Sequence, residues 1–270
     1  MYMTDFEFGG QYLSDFGCVV VFAETEFDNS ISLGSSLSFE KVTNNNSFKN
    51  NIITYSYEDV LTATFDIIKD PCKYDSDFNF TDEEIRNIMT WLNRKQYYKF
   101  KPIYNDGSFA DLYYNGTFDS IKCIYSGEKA IGFTLNFLAD SPWGYGEPIV
   151  SKGTKLVLHD DSDEIGYLYP TKFVITCKNN GTVSIGNLND NSSLRRTKIE
   201  NCISGEVITL DCENKIITSS IVHSKLYNDF NYIFPRLVRT YTSTKNVFED
   251  ELDSILEITY SPIRKVGVML

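Results

Sequence analysis

The chain has 270 residues, enough for one large domain or two of ordinary size, each able to bury its own core. Its 25 Lys and Arg stand against 37 Asp and Glu, a formal net charge of -12 that repels a nucleic-acid backbone or an anionic bilayer unless a local basic patch intervenes. No such patch is present, since Arg195-Arg196 and Arg264-Lys265 are only pairs, and aromatic residues at 14% with many Ile, Val and Thr favour strands over helices.

The amino terminus, Met-Tyr-Met-Thr-Asp-Phe-Glu-Phe, has neither a basic n-region nor an apolar h-region, so no secretory signal is expected and the product either stays in the cytosol or leaves by another route. No later run is long enough to cross a bilayer as a helix. The six cysteines (Cys18, Cys72, Cys123, Cys177, Cys202, Cys212) show no C-x-x-C spacing and most sit in strand-like apolar surroundings. Buried, reduced thiols are expected.

Phe6 and Phe8, then Gly9-Gly10, then Val19 to Phe22 read as two short strands around a glycine turn. From Glu26 to Asn51 the chain turns polar, with Asn44-Asn45-Asn46-Ser47 at its crest, and reads as an exposed loop or the tip of a long hairpin. It serves either as a contact arm or as a mobile loop. Leu61, Ala63, Phe65 and Ile67 alternate with polar residues as a half-buried strand ending before Asp70-Pro71. The one convincing helix follows: Thr81 caps it, Glu84 closes a capping box, and Ile85, Ile88, Met89 and Leu92 form a stripe. Trp91 lies beside that stripe and is assigned to the core rather than to a partner.

Lys99 to Tyr104, a turn at Asn105-Asp106-Gly107, and Leu112 to Tyr114 supply more strand. A hairpin then joins Thr117–Tyr125 to Ala130–Leu138 through Ser126-Gly127-Glu128-Lys129, with Phe133, Leu135, Phe137 and Ala139 on its buried face. Pro142, Gly144, Gly146 and Pro148 interrupt regular structure, which predicts a domain over 1–140, a linker over 141–148 and a second domain over 149–270.

In the second half, Lys172 to Lys178 and Thr182 to Leu188 read as a hairpin about Asn179-Asn180-Gly181, with Phe173, Ile175 and Cys177 answered by Val183 and Ile185. Glu206–Asp211 pairs with Ile216–Ser219 around Glu213-Asn214, and Leu252 to Tyr260 alternates. Short strands at regular spacing without a helix signal predict a β-sandwich or jelly roll.

Chemistry has little to work with. Two histidines, His159 and His223, give a His-dependent triad or metal cluster almost nothing. His159-Asp160-Asp161-Ser162-Asp163-Glu164 lacks the spacing of a calcium loop and reads as a solvated turn. No nucleophile elbow or phosphate-cradling glycine loop is present, and a carboxylate pair for glycoside hydrolysis is a chance feature of an acidic surface. No catalytic, cofactor-binding or metal-binding residue is assigned, no cofactor is implied, and the protein is not expected to be an enzyme.

The order Phe6-x-Phe8-Gly9, Asp15-x-Gly17, Trp91-Leu92, Tyr97-Tyr98 with Phe100, Gly132-Phe133-x-Leu135-x-Phe137 and Asp140-Ser141-Pro142-Trp143 resembles the amino-terminal half of distal tail proteins of long-tailed bacteriophages. Tyr169-Pro170, Gly205-Glu206-x-Ile208-x-Leu210-Asp211 and Asp229-Phe230-Asn231 before Pro262-Ile263-Arg264 resemble its carboxy-terminal half. The resemblance implies a mainly β protein with one helix, in which an amino-terminal β-rich domain forms a homohexameric ring and a galectin-like β-sandwich projects outward. It implies a virion component made in the host cytoplasm and placed at the tail tip. The implied partners are further copies of the chain, the tail tube protein, the tail-tip protein, and receptor-binding or fibre proteins. DNA would pass through the lumen without specific binding, and an acidic channel wall is expected. The alternative is a carbohydrate-binding adhesion module, with Tyr and Trp of the later half stacking on sugar faces.

Overall fold

The computed structural model describes residues 2–21, 36–44, 49–74, 78–190 and 195–268. The chain forms two compact units, Met1–Tyr145 together with Arg264–Leu270, and Gly146–Ile263.

The first unit contains β1 (Met3–Phe8), β2 (Gln11–Tyr12), β3 (Cys18–Val21), β4 (Leu37–Asn44), β5 (Lys49–Tyr57), β6 (Thr62–Lys69), α1 (Asp82–Leu92), β7 (Tyr98–Tyr104), β8 (Tyr114–Ser126), β9 (Lys129–Ala139) and the two-residue β10 (Gly144–Tyr145). Seven strands make one sheet in the order β2-β1-β7-β8-β9-β6-β3, antiparallel throughout. β1, next to one end of that order, and β3, at the other end, pack against each other, so the sheet curls around its buried face. Alternation decides which face that is: Phe133, Leu135, Phe137 and Ala139 of β9 and Ala63, Phe65 and Ile67 of β6 are all buried. At Gly116 of β8 a side chain would sit 2.5 Å from the Leu138 carbonyl oxygen, so the close approach of β8 to β9 needs glycine.

Helix α1 lies against this concave face. The Thr81 hydroxyl accepts from the Glu84 amide (3.3 Å) while the Glu84 carboxylate accepts from the Thr81 amide (2.7 Å), the reciprocal cap expected from sequence. Trp91 is in the core as assigned. Its indole is parallel to Phe6 at 5.5 Å and to Phe16 at 4.4 Å, and Nε1 donates to the Phe8 carbonyl oxygen at 2.9 Å.

Three expectations for this unit are corrected. Gly9-Gly10 does turn the chain, both residues having positive φ, but it joins β1 to β2, while β3 pairs with β6 across the sheet. On its other side β1 pairs with β7, and the intervening Leu13–Phe16 is a 3₁₀ turn. Phe22 lies outside the described residues. Residues 141–145 are not a linker, because the Ser141 carbonyl accepts from the Leu61 amide (3.0 Å), Trp143 meets Tyr57 edge to face at 5.2 Å, and Tyr145 bridges Tyr113. The carboxy-terminal segment also belongs here: the Tyr114 hydroxyl donates to the Val266 carbonyl oxygen at 2.8 Å and Val268 is buried in this core.

The second unit contains β11 (Ile149–Gly153), β12 (Lys155–His159), β13 (Gly166–Leu168), β14 (Lys172–Thr176), β15 (Gly181–Asn187), β16 (Arg196–Cys202), β17 (Val207–Asp211), β18 (Ile216–Ser219), α2 (Leu226–Asp229), β19 (Leu237–Arg239), β20 (Lys245–Asp250) and β21 (Ile255–Tyr260). A five-stranded sheet, β11-β21-β14-β17-β18, shares one core with a four-stranded sheet, β12-β20-β15-β16. This is the β-sandwich that the strand spacing predicts. Phe173 of one sheet meets Phe248 of the other at 5.6 Å.

The expected hairpin of Lys172–Lys178 with Thr182–Leu188 does not form. β14 pairs with β17 and β21 while β15 pairs with β16 and β20, so Asn179-Asn180-Gly181 carries the chain from one sheet to the other. The two asparagines are used away from a tight turn: Asn180 Oδ1 accepts from the Ser204 amide (2.7 Å), and Asn179 Nδ2 donates to the Leu252 carbonyl (3.4 Å). The β17–β18 hairpin forms as expected. The four-residue α2 is too short to leave a periodic signal.

Replacing Trp91 with Ala removes both ring stacks and leaves the Phe8 carbonyl without its donor. We expect a loss of about 3–5 kcal/mol in unfolding free energy, against about 1 kcal/mol for Thr81→Ala, measured as shifts of the denaturation midpoint at unchanged slope.

A candidate assembly interface

The described residues contain no group of three or more His, Cys, Asp or Glu able to hold a metal ion. His159 is exposed, with Nδ1 3.4 Å from the Thr244 hydroxyl, and His223 is enclosed between two carboxylates. The acidic stretch after His159 is only in part the solvated turn expected, with Asp161 and Asp163 exposed. Asp160 and Ser162 are both buried; Asp160 Oδ1 accepts from the Ser162 amide (3.0 Å) and hydroxyl (2.6 Å), and the Ser162 hydroxyl accepts from the Ile263 amide (3.0 Å). Those bonds satisfy buried polar groups within the second unit and spend the carboxylate on structure.

Two concavities stand out. In the first unit a cleft of about 420 Å³ lies between the Leu13–Phe16 turn and α1, lined by Asp15, Lys73, Tyr74, Glu84 and Asn87. Its charges are already engaged: buried Lys69 reaches Glu84 at 2.8 Å, and Asp15 accepts from the Tyr12 amide at 3.0 Å. Partial burial pushes the Glu84 carboxyl up, but the bonds from Lys69 and Thr81 outweigh it and hold it below the usual glutamate value. In the second unit the space among Asn187, Asp190, Arg195 and Arg236 is about 10 Å³, room for about one water molecule. Arg236 and Arg195 both bind Asp190 there, at 2.8 and 3.1 Å.

The thiols are largely as expected. Cys18, Cys177, Cys202 and Cys212 are buried and free, Cys123 is half-buried, and Cys72 is exposed. Burial pushes the Cys18 and Cys212 thiols up to about 12, so neither supplies a thiolate at neutral pH.

The remaining feature is the ribbon β4–β5. Among the described residues it is a two-stranded sheet joined to no further strand. Leu37 faces Tyr57 and Phe39 faces Tyr55 directly, and a register shift after Glu40 brings Lys41 opposite Ile52. Directly opposed residues share a face, so Leu37, Phe39, Tyr55 and Tyr57 form an apolar strip. Ile53 and Tyr55 are 63% and 56% exposed, and Phe39, Val42 and Ile52 are exposed as well. At the base, Tyr57 rests on Trp143. The polar stretch read as a loop or hairpin tip is thus, in its described part, a hairpin whose stems are apolar. Its crest at 45–48, and residues 26–35, lie outside the described residues. The signal in the sequence was the alternation Ile53, Tyr55, Tyr57, which the neighbouring Asn and Ser residues masked.

Family comparison matches residues 1–141 to a phage tail protein N-terminal domain and residues 143–260 to a phage tail C-terminal domain. The chain belongs to this phage tail protein family. No curated protein matches the sequence of this tail protein significantly. Its fold does match solved structures: the Dit protein of phage SPP1, described as a paradigm of the hub adsorption apparatus in phages infecting Gram-positive bacteria, aligns with a TM-score of 0.63 at 13% identity, over 96% of this chain and 98% of that one. A chain of the phage P2 baseplate in its activated conformation aligns with a TM-score of 0.54 at 8% identity, over 96% and 98%, in both the calcium and the strontium forms. The tail protein therefore has the fold of a distal tail, or hub, protein along nearly its whole length.

Thiol accessibility follows from burial. A small alkylating reagent should label Cys72 rapidly in the native tail protein and Cys18, Cys177, Cys202 and Cys212 only after unfolding, as read by peptide mass mapping.

Proposed function

We propose that this tail protein is a distal tail protein that closes into a homohexameric ring and joins the tail tube to the baseplate or tail tip. The single observation that carries the reading is the ribbon β4–β5, apolar, exposed and, among the described residues, joined to no further strand. A lone two-stranded ribbon is marginal in water, and exposed apolar strips of this kind mark interaction sites. A cyclic oligomer gives each copy's ribbon the same partner, so none is left exposed. The hub fold shared with the SPP1 and P2 proteins supports the same role. In this reading the tail tube protein lies on one side of the ring and the tail-tip protein on the other. Receptor-binding or fibre proteins attach at the periphery, and the place of action is the virion. DNA passes through the lumen, whose wall we expect to be acidic, in keeping with the formal charge of -12.

Sugar binding by the second unit is the weaker reading. Stacking on a sugar needs an open ring face; the Arg236 guanidinium sits 3.4 Å from the Tyr167 ring centroid and the Lys215 ammonium 3.2 Å from that of Tyr169, which leaves Tyr227, Tyr232 and Tyr241 as the open rings of this unit.

Electron microscopy of the purified protein, alone and with its tube protein, should show sixfold rings. Ile53→Asp and Tyr55→Asp should abolish them while changing monomer stability by no more than about 0.5 kcal/mol, because both side chains are exposed. Rings that persist in both variants would remove the ribbon from the interface, and no rings under either condition would overturn the proposal.

A further inference from the structure

His223 stands in an arrangement that assembly does not require. Nδ1 is 2.8 Å from Glu206 Oε1 and Nε2 is 3.0 Å from Asp229 Oδ2. Both carboxylates are acceptors only, so both ring nitrogens must donate, and only the imidazolium carries two N–H groups. Glu206 is buried and held by three further hydrogen bonds: Ser219 donates to its Oε1 at 2.7 Å, the Ile203 amide donates to its Oε2 at 3.1 Å, and its own amide donates to the Ile203 carbonyl at 3.1 Å.

The segment that His223 anchors is a crossover. It leaves β18, the edge of the five-stranded sheet, passes through α2, and reaches β16, the edge of the four-stranded sheet. There Phe230 bridges Ile199, and Asn231 bonds the backbone of Lys198 and Arg196 at 3.1 and 2.8 Å. Leu226 and Phe230 face the core, while Val222, Tyr227 and Tyr232 are largely exposed. The crossover therefore closes one side of the sandwich between two strand edges.

We propose that His223, held as an imidazolium between Glu206 and Asp229, is a proton-dependent clasp for the 220–231 crossover, and that losing its proton loosens this segment while both sheets stay folded.

The charged and titratable groups facing the clasp are Glu206 before β17, Asp229 on α2, the Cys202 thiol at the end of β16, and Lys225, which faces Asp229. Asn201 also bonds Asp229, and Ser219 of β18 shares Glu206. Burial pushes His223 down, but the bonds to Glu206 and Asp229 outweigh it and raise it above its ordinary 6.5. Burial likewise pushes Glu206 up, and the bonds from His223, Ser219 and Ile203 reverse this and lower it; the bond from His223 lowers Asp229. The signs agree. The imidazolium's contribution is complete below the ordinary histidine value and is lost as pH rises through the raised one. The carboxylates' contribution is present above their ordinary values and is lost as pH falls through the lowered ones. The clasp is closed in between.

The test is hydrogen exchange on the full chain, read by mass spectrometry. Exchange at the imidazole Cε1 position reports the titration of His223. We expect it to titrate above the ordinary 6.5. Above that point, backbone protection of peptides covering 221–231, corrected for intrinsic exchange, should fall about tenfold per pH unit, with peptides of β14 and β21 unchanged. His223→Gln should make 221–231 weakly protected at every pH, and Asp229→Asn should move the loosening to lower pH. His223 titrating at or below 6.5 would overturn the proposal. So would protection of 221–231 that is flat across its titration, or that falls in step with β14 and β21.

Discussion

The stack of Phe6, Trp91 and Phe16 fixes the only long helix among the described residues to the inside of a curled sheet, and the first unit is arranged around it. One end of the stack belongs to β1, the other to the 3₁₀ turn that leads into β3, and the indole N–H closes onto the β1 backbone. Because β1 and β3 lie toward opposite ends of the strand order, a ring set held between them resists uncurling of the sheet. A firm base of this kind gives the β4–β5 ribbon something to stand on, through Tyr57 and Trp143. Among the described residues the ribbon itself has only its own two strands. Rigidity below and unsatisfied apolar surface above are what a modular building block needs if its contacts are to be made with other chains.

Much of this was legible in the sequence, and the parts that were not share one cause. Alternation reports which side of a strand is buried, and it placed Phe133, Leu135 and Phe137 correctly. It does not report which strand lies alongside. Phe173 and Ile175 face Val183 and Ile185 across the core of a sandwich just as they would within one hairpin, so an Asn-Gly sequence that changes sheets was read as one that reverses within a sheet. The Gly9-Gly10 turn misled in the same way, since the two-residue β2 is too brief to show a period. Capping, by contrast, is local chemistry over four residues, and Thr81 with Glu84 was read correctly.

Buried polar clusters were the least legible of all. Glu206, His223 and Asp229 are held together by a crossover between sheets, and their spacing along the chain carries no motif. Asp160 and Ser162 sit in an acidic run whose composition suggested solvent, yet a backbone amide one hundred residues on depends on that serine. In each case a polar side chain is committed to holding the fold.

The second unit both begins and ends inside the first, because residues beyond Ile263 return to the core of Phe6 and Trp91. Its entrance and exit are stitched together by the bond from the Gly146 amide to the Pro262 carbonyl, 2.8 Å long. A sandwich whose first and last residues lie side by side is a cassette: evolution or an engineer can transplant another lobe between the same two residues of the host sequence.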